Sequence, residues 1–465
     1  MLNHVYANSV DELRAGVRRL LEKSYHSSQT RIARVSVILD GITPLEWLVH
    51  RPEGGRIYWS GRDYGIEVAA FGEADCHYSS SATDLQELRS GLGTMLSECE
   101  HGVRYYGGIR FDLHHSGEEQ WSSFGSWRFV LPRFEVRKNS KGTMLMCNLV
   151  IPNDQPQIES ILDQVDSLHG SIQGTETDSK STGHRFRPDF EDWGLMVDSA
   201  LNAFNHTSLD KVVLAREASV DFSGPLAPVS IIQALKKISP NCFHFLFEPA
   251  LGEAFLGASP ERLFRREGRS IESEAVAGTR PRGASEVDDA KMIDELYSSA
   301  KEQREHEFVR ISLQEEVTLL AAYVTMDTLP SIMRLTSEIH LVSRLRAIMQ
   351  QEYTSLDVLE ALHPSPAVGG YPSEQALDLI RRKEHFDRGW YAGPVGWLGV
   401  NEAEFAVAIR SGLISGSMIR LYSGAGIVRG STPLDEWHEI GHKIGDLAQV
   451  LGLYDSAVQS ELQRA

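Results

Sequence analysis

Two pairs of glutamates repeat one spacing in this chain. Glu302 and Glu305 stand in Lys301-Glu302-Gln303-Arg304-Glu305-His306, and Glu436 and Glu439 in Asp435-Glu436-Trp437-His438-Glu439. Residues three apart on a helix share a face, so two facing helices would turn four carboxylates toward one place. Such a place repels itself unless a hard cation fills it, and Mg2+ is the natural occupant. Taken singly, each pair is more often an ordinary solvated charge face. A second metal chemistry overlaps the first, because His438-Glu439-Ile440-Gly441-His442 has the HExxH spacing of zinc hydrolases. Against it, His438 and His442 fall opposite the apolar stripe of their helix. Gly441 weakens that helix, and Ala448 stands where a third histidine is needed. The zinc hydrolase is the distant alternative.

Other segments bring chemistry of a different kind. Phe255-Leu256-Gly257-Ala258-Ser259-Pro260-Glu261-Arg262-Leu263 places an acid directly after proline at a strand end. Glu274-Ala275-Val276-Ala277-Gly278-Thr279-Arg280-Pro281-Arg282-Gly283 reads as a glycine-punctuated loop whose amides suit a carboxylate. Ser423-Gly424-Ala425-Gly426-Ile427-Val428 reads as a second such loop, and Arg410 ends an apolar strand.

The elements that must position these residues follow from periodicity. Strands are expected at 34–39, 57–59, 105–111, 128–134, 143–147, 211–215 and 243–247, and a strand pair at 405–409 and 418–422 turning through Gly412 to Gly416. Ser9 to Glu12 read as a capping box opening a helix. Residues 289–322 read as helix, and so does a final stretch capped by Thr432, with Pro433 first and Leu434, Trp437, Ile440, Ile444, Leu447 and Leu451 on its apolar stripe. Beside that stripe run Glu436, Glu439 and Lys443, as on the wall of a cleft. Strands outnumber helices without regular βαβ alternation, which predicts an α+β fold with large antiparallel sheets. The expected organisation is a β-rich N-terminal half (1–168), a polar loop (169–188) and a catalytic region (189–465).

The bulk properties set limits. The 465 residues carry a net charge of -18, with 42% hydrophobic and 24% charged residues. That balance argues against a nucleic-acid binder, so an anionic substrate would need locally built positive charge. The four cysteines, Cys76, Cys99, Cys147 and Cys242, are scattered as in reduced cytoplasmic proteins. No signal peptide and no stretch of membrane-spanning length is read.

Together these segments resemble the chorismate-utilising enzymes, over roughly residues 200–455 and with the motifs in order. The resemblance implies two large, mainly antiparallel β-sheets packed together with helices outside, and a site between sheets and C-terminal helices that binds chorismate with Mg2+. It makes Glu305 and Glu439 direct metal ligands, with Glu302 and Glu436 either holding metal-bound water or supporting the ligands from behind. It assigns Arg410, Tyr391 and the backbone at Gly424 and Gly426 to the pyruvyl carboxylate. Gly278, Thr279, His340 and Lys443 complete the substrate's surroundings.

The branches of that family differ in nucleophile. Ammonia-using members carry glutamine where this chain has Lys211, and aminodeoxychorismate-forming members carry lysine where it has Ala277. Both departures point to water. Lys211 is then the general base, needing a pKa depressed by burial. Glu261 is the general acid, needing to keep its proton near neutral pH. Water enters at C2, hydroxyl leaves C4, and isochorismate results, the precursor for menaquinone or for siderophore and salicylate routes. Leu362-His363-Pro364-Ser365-Pro366-Ala367-Val368-Gly369-Gly370 and the run from Arg388 to Trp397 resemble the isochorismate-forming branch. Salicylate formation with loss of pyruvate is the alternative. No glutaminase subunit is expected, and the family precedent is a monomer or weak dimer. The N-terminal half is expected to serve as scaffold.

Overall fold

A computed structural model describes residues 2–23, 30–63, 65–96, 99–115, 117–170 and 179–453. Twenty strands and their helices form an α+β structure in which every strand pairing is antiparallel. The ladders run on from one strand to the next. Arg56–Ser60 pairs with Phe243–Ala250, and Glu67–Ser79 joins it to Trp127–Asn139. Arg104–Ile109 then joins that strand to Pro394–Gly399. The two expected sheets are therefore facing layers of one hydrogen-bonded set, and the N-terminal half is woven into both.

Side-chain alternation explains the layering. In Phe243–Ala250 the residues Phe243, Phe245 and Phe247 point inward and Leu246 outward, as the two-residue period of a strand requires. The inner core is aromatic. Trp59, Phe245, Phe255 and Trp390 meet Phe264 and Phe405 from the other layer, the last two stacked with centroids 5.6 Å apart. Each such ring, fully buried, contributes about 1.5–3 kcal/mol. Helices Leu2–Lys23, Pro44–Val49, Ile158–Ser167 and Pro228–Ile238 cover the outer face.

A two-stranded ribbon ties the layers together and shapes the site. Glu253–Ser259 pairs with Ser411–Ser415 in one layer, and Arg262–Glu267 with Glu402–Val407 in the other. Register is kept through the bend, where the Ala258 N–H donates to the Arg410 carbonyl and the Val407 N–H to the Glu261 carbonyl. Strands that change sheets do so at such bends. Pro260, with no N–H for a ladder, suits one side of it. Arg410, at φ 51°, makes the other.

Several expectations are corrected. The strand Met418–Val428 pairs with Ser411–Ser415, not with 405–409, which belongs to the opposite layer. The stretch 289–322 is two helices, Glu286–Ser298 and Ala300–Leu320, broken at Ser299, followed by the strand Ala321–Met326. Ser9 lies inside the first helix, where its hydroxyl donates to the Ile38 carbonyl. Within 169–188, Ser181–Arg187 is a strand on Lys211–Phe222, and 171–178 lie outside the described residues. The helix from Pro433 ends at Lys443, with Gly445–Val450 a separate short helix, and Leu434 is exposed. All four cysteines are free, and among the described residues no helix is long and apolar enough to cross a membrane.

Candidate active site

A cavity lies where the ribbon bends, roofed by the helices Ala300–Leu320 and Pro433–Lys443. Glu261, Gly278, Thr279, Glu305, His340, Tyr391, Arg410, Gly424, Gly426, Glu439 and Lys443 all line it. Of the residues expected from sequence, only Lys211, Glu302 and Glu436 stand behind its wall.

Glu261 sits at the bend, 7% exposed. Burial, reinforced by the charge of Glu274, pushes its carboxyl up to about 8. Glu274 is held in turn by Arg62, whose Nη1 and Nη2 donate to its two oxygens at 2.7 and 2.8 Å. Arg62 also donates to the Pro260 carbonyl. A residue of the N-terminal half thus braces the segment that carries the acid, so this half does more than form a scaffold.

Lys211 begins the strand Lys211–Phe222 and is fully buried, its Nζ 3.0 Å from Glu305 Oε1. Gly426, opposite Val213 on the neighbouring strand, makes room for this pair. A Cβ there would lie 2.3 Å from Glu305 Oε1 and 3.1 Å from Lys211 Cε. Burial opposes ionisation of Glu305, but Lys211 and Lys443 outweigh it and hold its carboxyl below the usual range.

Each member of the two acid pairs has a basic partner. Glu302 accepts from Arg280 Nη1 at 2.6 Å and from the Thr279 N–H at 3.2 Å. Glu436 accepts from Lys301 Nζ at 2.6 Å, and Glu439 lies 2.7 Å from Lys443 Nζ. The four carboxylates do not converge on one point as expected. Among the described residues no three acidic, histidine or cysteine groups close into a metal cage. With like charges this close, the basic side chains take the place a cation would hold. The donor set still fits a hard cation, because it consists of carboxylate oxygens, one of them buried and unpartnered among the described residues. Burial and Glu439 push the Glu436 carboxyl up to about 7, and its Oε2 is buried without a hydrogen-bond partner among the described residues. Burial and Glu305 likewise raise Glu302. Glu305 and Glu439 face the cavity, whereas Glu302 and Glu436 stand behind them.

The opposite end of the cavity is built for an anion. Arg410 Nη2 donates to Glu338 and lies 3.2 Å from His340 Nε2. Burial would raise the Glu338 carboxyl, yet Arg410 and His340 hold it well below the usual range. His340 Nδ1 lies 3.1 Å from the Thr279 hydroxyl. Thr279 follows a bulge at Gly278, φ 79°, within the strand Ser270–Pro281. The expected glycine loop is therefore a strand with one extra residue, and its bulge turns the Thr279 amide to Glu302 rather than to the cavity. Ser423 to Val428 are likewise strand, paired to Lys211–Phe222 on one side only. A Cβ at Gly424 would meet the Tyr391 hydroxyl at 3.0 Å. Burial pushes that phenol up to about 12, and its ring stacks on Tyr422. Lys443 Nζ donates to the Gly424 carbonyl at 3.1 Å, closing one end of the strand edge.

The zinc reading fails on geometry. His442 is exposed, and no third ligand joins His438 and Glu439 among the described residues. Sequence reasoning missed Arg62, Glu338 and the counter-cations Arg280 and Lys301. Glu338 stands two residues before His340, and strand alternation could have put both on one face. Arg62 carries no local signal, because its partner Glu274 is 212 positions away.

The chain is similar to known proteins over most of its length. A family model described as a chorismate binding enzyme matches residues 19–452. The chain is 32% identical over 461 residues to the isochorismate synthase MenF of Bacillus subtilis, covering 94% of this chain and 97% of the relative. It is 30% identical over 460 residues to the chloroplastic isochorismate synthase of Catharanthus roseus, covering 95% of this chain and 78% of that one. Among solved structures, that of the menaquinone-specific isochorismate synthase MenF of Escherichia coli matches with a TM-score of 0.81 at 27% identity, over 95% of this chain and 100% of that chain.

Proposed function

The chain belongs to the chorismate-binding enzymes, and on that premise we propose that it is an isochorismate synthase that uses water as nucleophile and Mg2+ as cofactor. The observation that carries the mechanism is the enclosed Glu261, with a carboxyl pushed up to about 8, in a cavity behind whose wall lies the buried amine of Lys211. A carboxyl that keeps its proton at neutral pH is what a departing hydroxyl needs. In the forward direction Lys211 accepts a proton from the water that bonds to C2. The two ring double bonds each shift by one position, the C4–O bond breaks, and Glu261 gives its proton to the departing hydroxyl, which leaves as water.

Arg410 has five N–H donors. It spends part of them on Glu338 and keeps the rest for the pyruvyl carboxylate, beside Tyr391 and the free strand edge at Gly424 and Gly426. Glu305 and Glu439 would hold Mg2+ directly, with Glu302 and Glu436 behind them. When bound, the cation would supply positive charge for the ring carboxylate. No glutaminase partner is needed, since a lysine occupies the position of the ammonia users' glutamine. The product is a precursor for menaquinone or for siderophore and salicylate synthesis.

Chromatography of products after mixing purified protein with chorismate, with Mg2+ or with EDTA, tests the reading. Isochorismate formed only with Mg2+ is the expected result. Salicylate plus pyruvate as the main products would assign the chain to the pyruvate-releasing branch, and turnover unaffected by EDTA would remove the metal. Within the metal site, Glu439→Gln is expected to weaken Mg2+ binding by about 10- to 100-fold in calorimetry, in the range of a lost ligand-shell interaction. Unchanged binding would take Glu439 out of the coordination.

A further inference from the structure

Glu261 has two faces. One borders the cavity described above. The other borders a separate cleft, lined also by Glu274, Ser312, Glu316, Ala361 and Ser365. The wall between the two spaces is Glu261 together with the loop after the helix Ser355–Leu362. His363 to Pro366 of that loop face the cleft, while Ala367 and Val368 face the cavity. Ser365 Oγ, in this wall, is buried and has no hydrogen-bond partner among the described residues. The far rim is polar, with Ser312 and Glu316 one turn apart on the helix Ala300–Leu320.

The chemistry creates a need for such a space. Each forward turnover consumes one water at C2 and makes one at C4. It leaves Lys211 as ammonium and Glu261 as carboxylate. Before the next turnover Glu261 must regain a proton, Lys211 must lose one, and the water made beside Glu261 must leave. While product fills the cavity, that side of Glu261 is closed.

Resting on the assignment of Glu261 as the acid of the isomerisation, we propose that the cleft behind Glu261 is the route by which water leaves C4 and the carboxylate is reprotonated from solvent. Ser365 supplies a hydroxyl beside this path, and Ser312, Glu316 and Ala361 form its mouth. In the reverse direction the same path delivers the water that adds at C4 and carries away the proton that Glu261 then takes up, so the balance holds both ways.

The test separates the first turnover from the later ones. Ser312→Phe and Ala361→Phe each narrow the mouth without touching the cavity. Ser312→Val is a milder narrowing, and Ser312→Ala leaves the mouth open. Rapid quench with enzyme in excess over chorismate measures the chemical step, and steady-state assay measures the full cycle. For the two phenylalanine variants the steady-state kcat is expected to fall by about tenfold with the single-turnover rate unchanged, as when a step after chemistry becomes limiting. Ser312→Val should fall between, and Ser312→Ala should match the parent in both. Equal losses in both rates would overturn the proposal, since the narrowing would then act on the chemistry. Unchanged kcat in folded Ser312→Phe, Ala361→Phe and Ser312→Val would also overturn it. If the parent enzyme forms no isochorismate, the functional reading fails and this inference falls with it. Normal isochorismate formation with unchanged kcat in all variants defeats this inference alone.

Discussion

Replacing Lys211 by alanine is expected to lower kcat for isochorismate formation by about 10²–10⁴-fold, the range of a lost general base, while chorismate still binds. Lys211 is enclosed by the strand Met418–Val428 and by Glu305, with no exposed surface. No other lysine takes its place on that wall, because Lys443 is committed to Glu439 and to the Gly424 carbonyl. The substitution also strips Glu305 of its nearest cation. Removing one partner of a buried pair is costly to folding, so the kinetics must be read beside a thermal melt, and Lys211→Met, which keeps the volume, serves as the control. Chorismate binding to the inactive variant, measured by calorimetry, separates loss of chemistry from loss of the site. Normal turnover in Lys211→Ala would place the base elsewhere.

Glu261→Gln is the second large effect, with an expected loss of about 10²–10⁴-fold in kcat. The amide keeps the shape of the side chain but has no acidic proton to give. The direction with pH follows from the raised carboxyl. Below about 8 the acid is protonated and competent. As pH rises through that value it ionises, and activity in the forward direction falls by about tenfold per unit. Because the charge of Glu274 helps to raise Glu261, Glu274→Gln should move the falling limb to lower pH while leaving the plateau in place. A limb that stays put in Glu274→Gln, or a Glu261→Gln enzyme of ordinary activity, would refute the assignment.

The sequence displayed the chemistry more readily than the architecture. Glu261, Glu305, Glu439, Arg410 and Lys443 sit in short segments whose local pattern marks them, and all of them line one cavity. What stayed hidden depends on partners far along the chain. Gly278 and Gly426 read as loop glycines because glycine usually marks turns. In the structure one forms a bulge and the other clears space for a side chain from the roof helix. The pairing of 405–409 with 418–422 failed for a similar reason. Arg410 at positive φ sends the chain from one layer to the other, and no local pattern announces a change of sheet. The single helix over 289–322 concealed a break because Leu296 before it and Ala300, Lys301 and Glu302 after it favour helix, and only the capping preference of Ser299 marks a new start.

That break has a consequence for the acid pairs. Ser299 accepts from the Glu302 N–H and starts a new helix at Ala300. Thr432 accepts from the Asp435 N–H and starts one at Pro433. The first acid of each pair, Glu302 and Glu436, therefore lies in the opening turn of its own helix. There the aligned peptide dipoles add up to about half a positive charge, stabilising a nearby carboxylate by about 0.3–1 kcal/mol. A continuous helix from Glu286 would have spent those amides on internal hydrogen bonds and left Glu302 in mid-helix, where this potential is gone. The two starts provide a fixed electropositive background that neither titrates nor dissociates, and it helps the fold to keep four carboxylates in one region when no cation is bound.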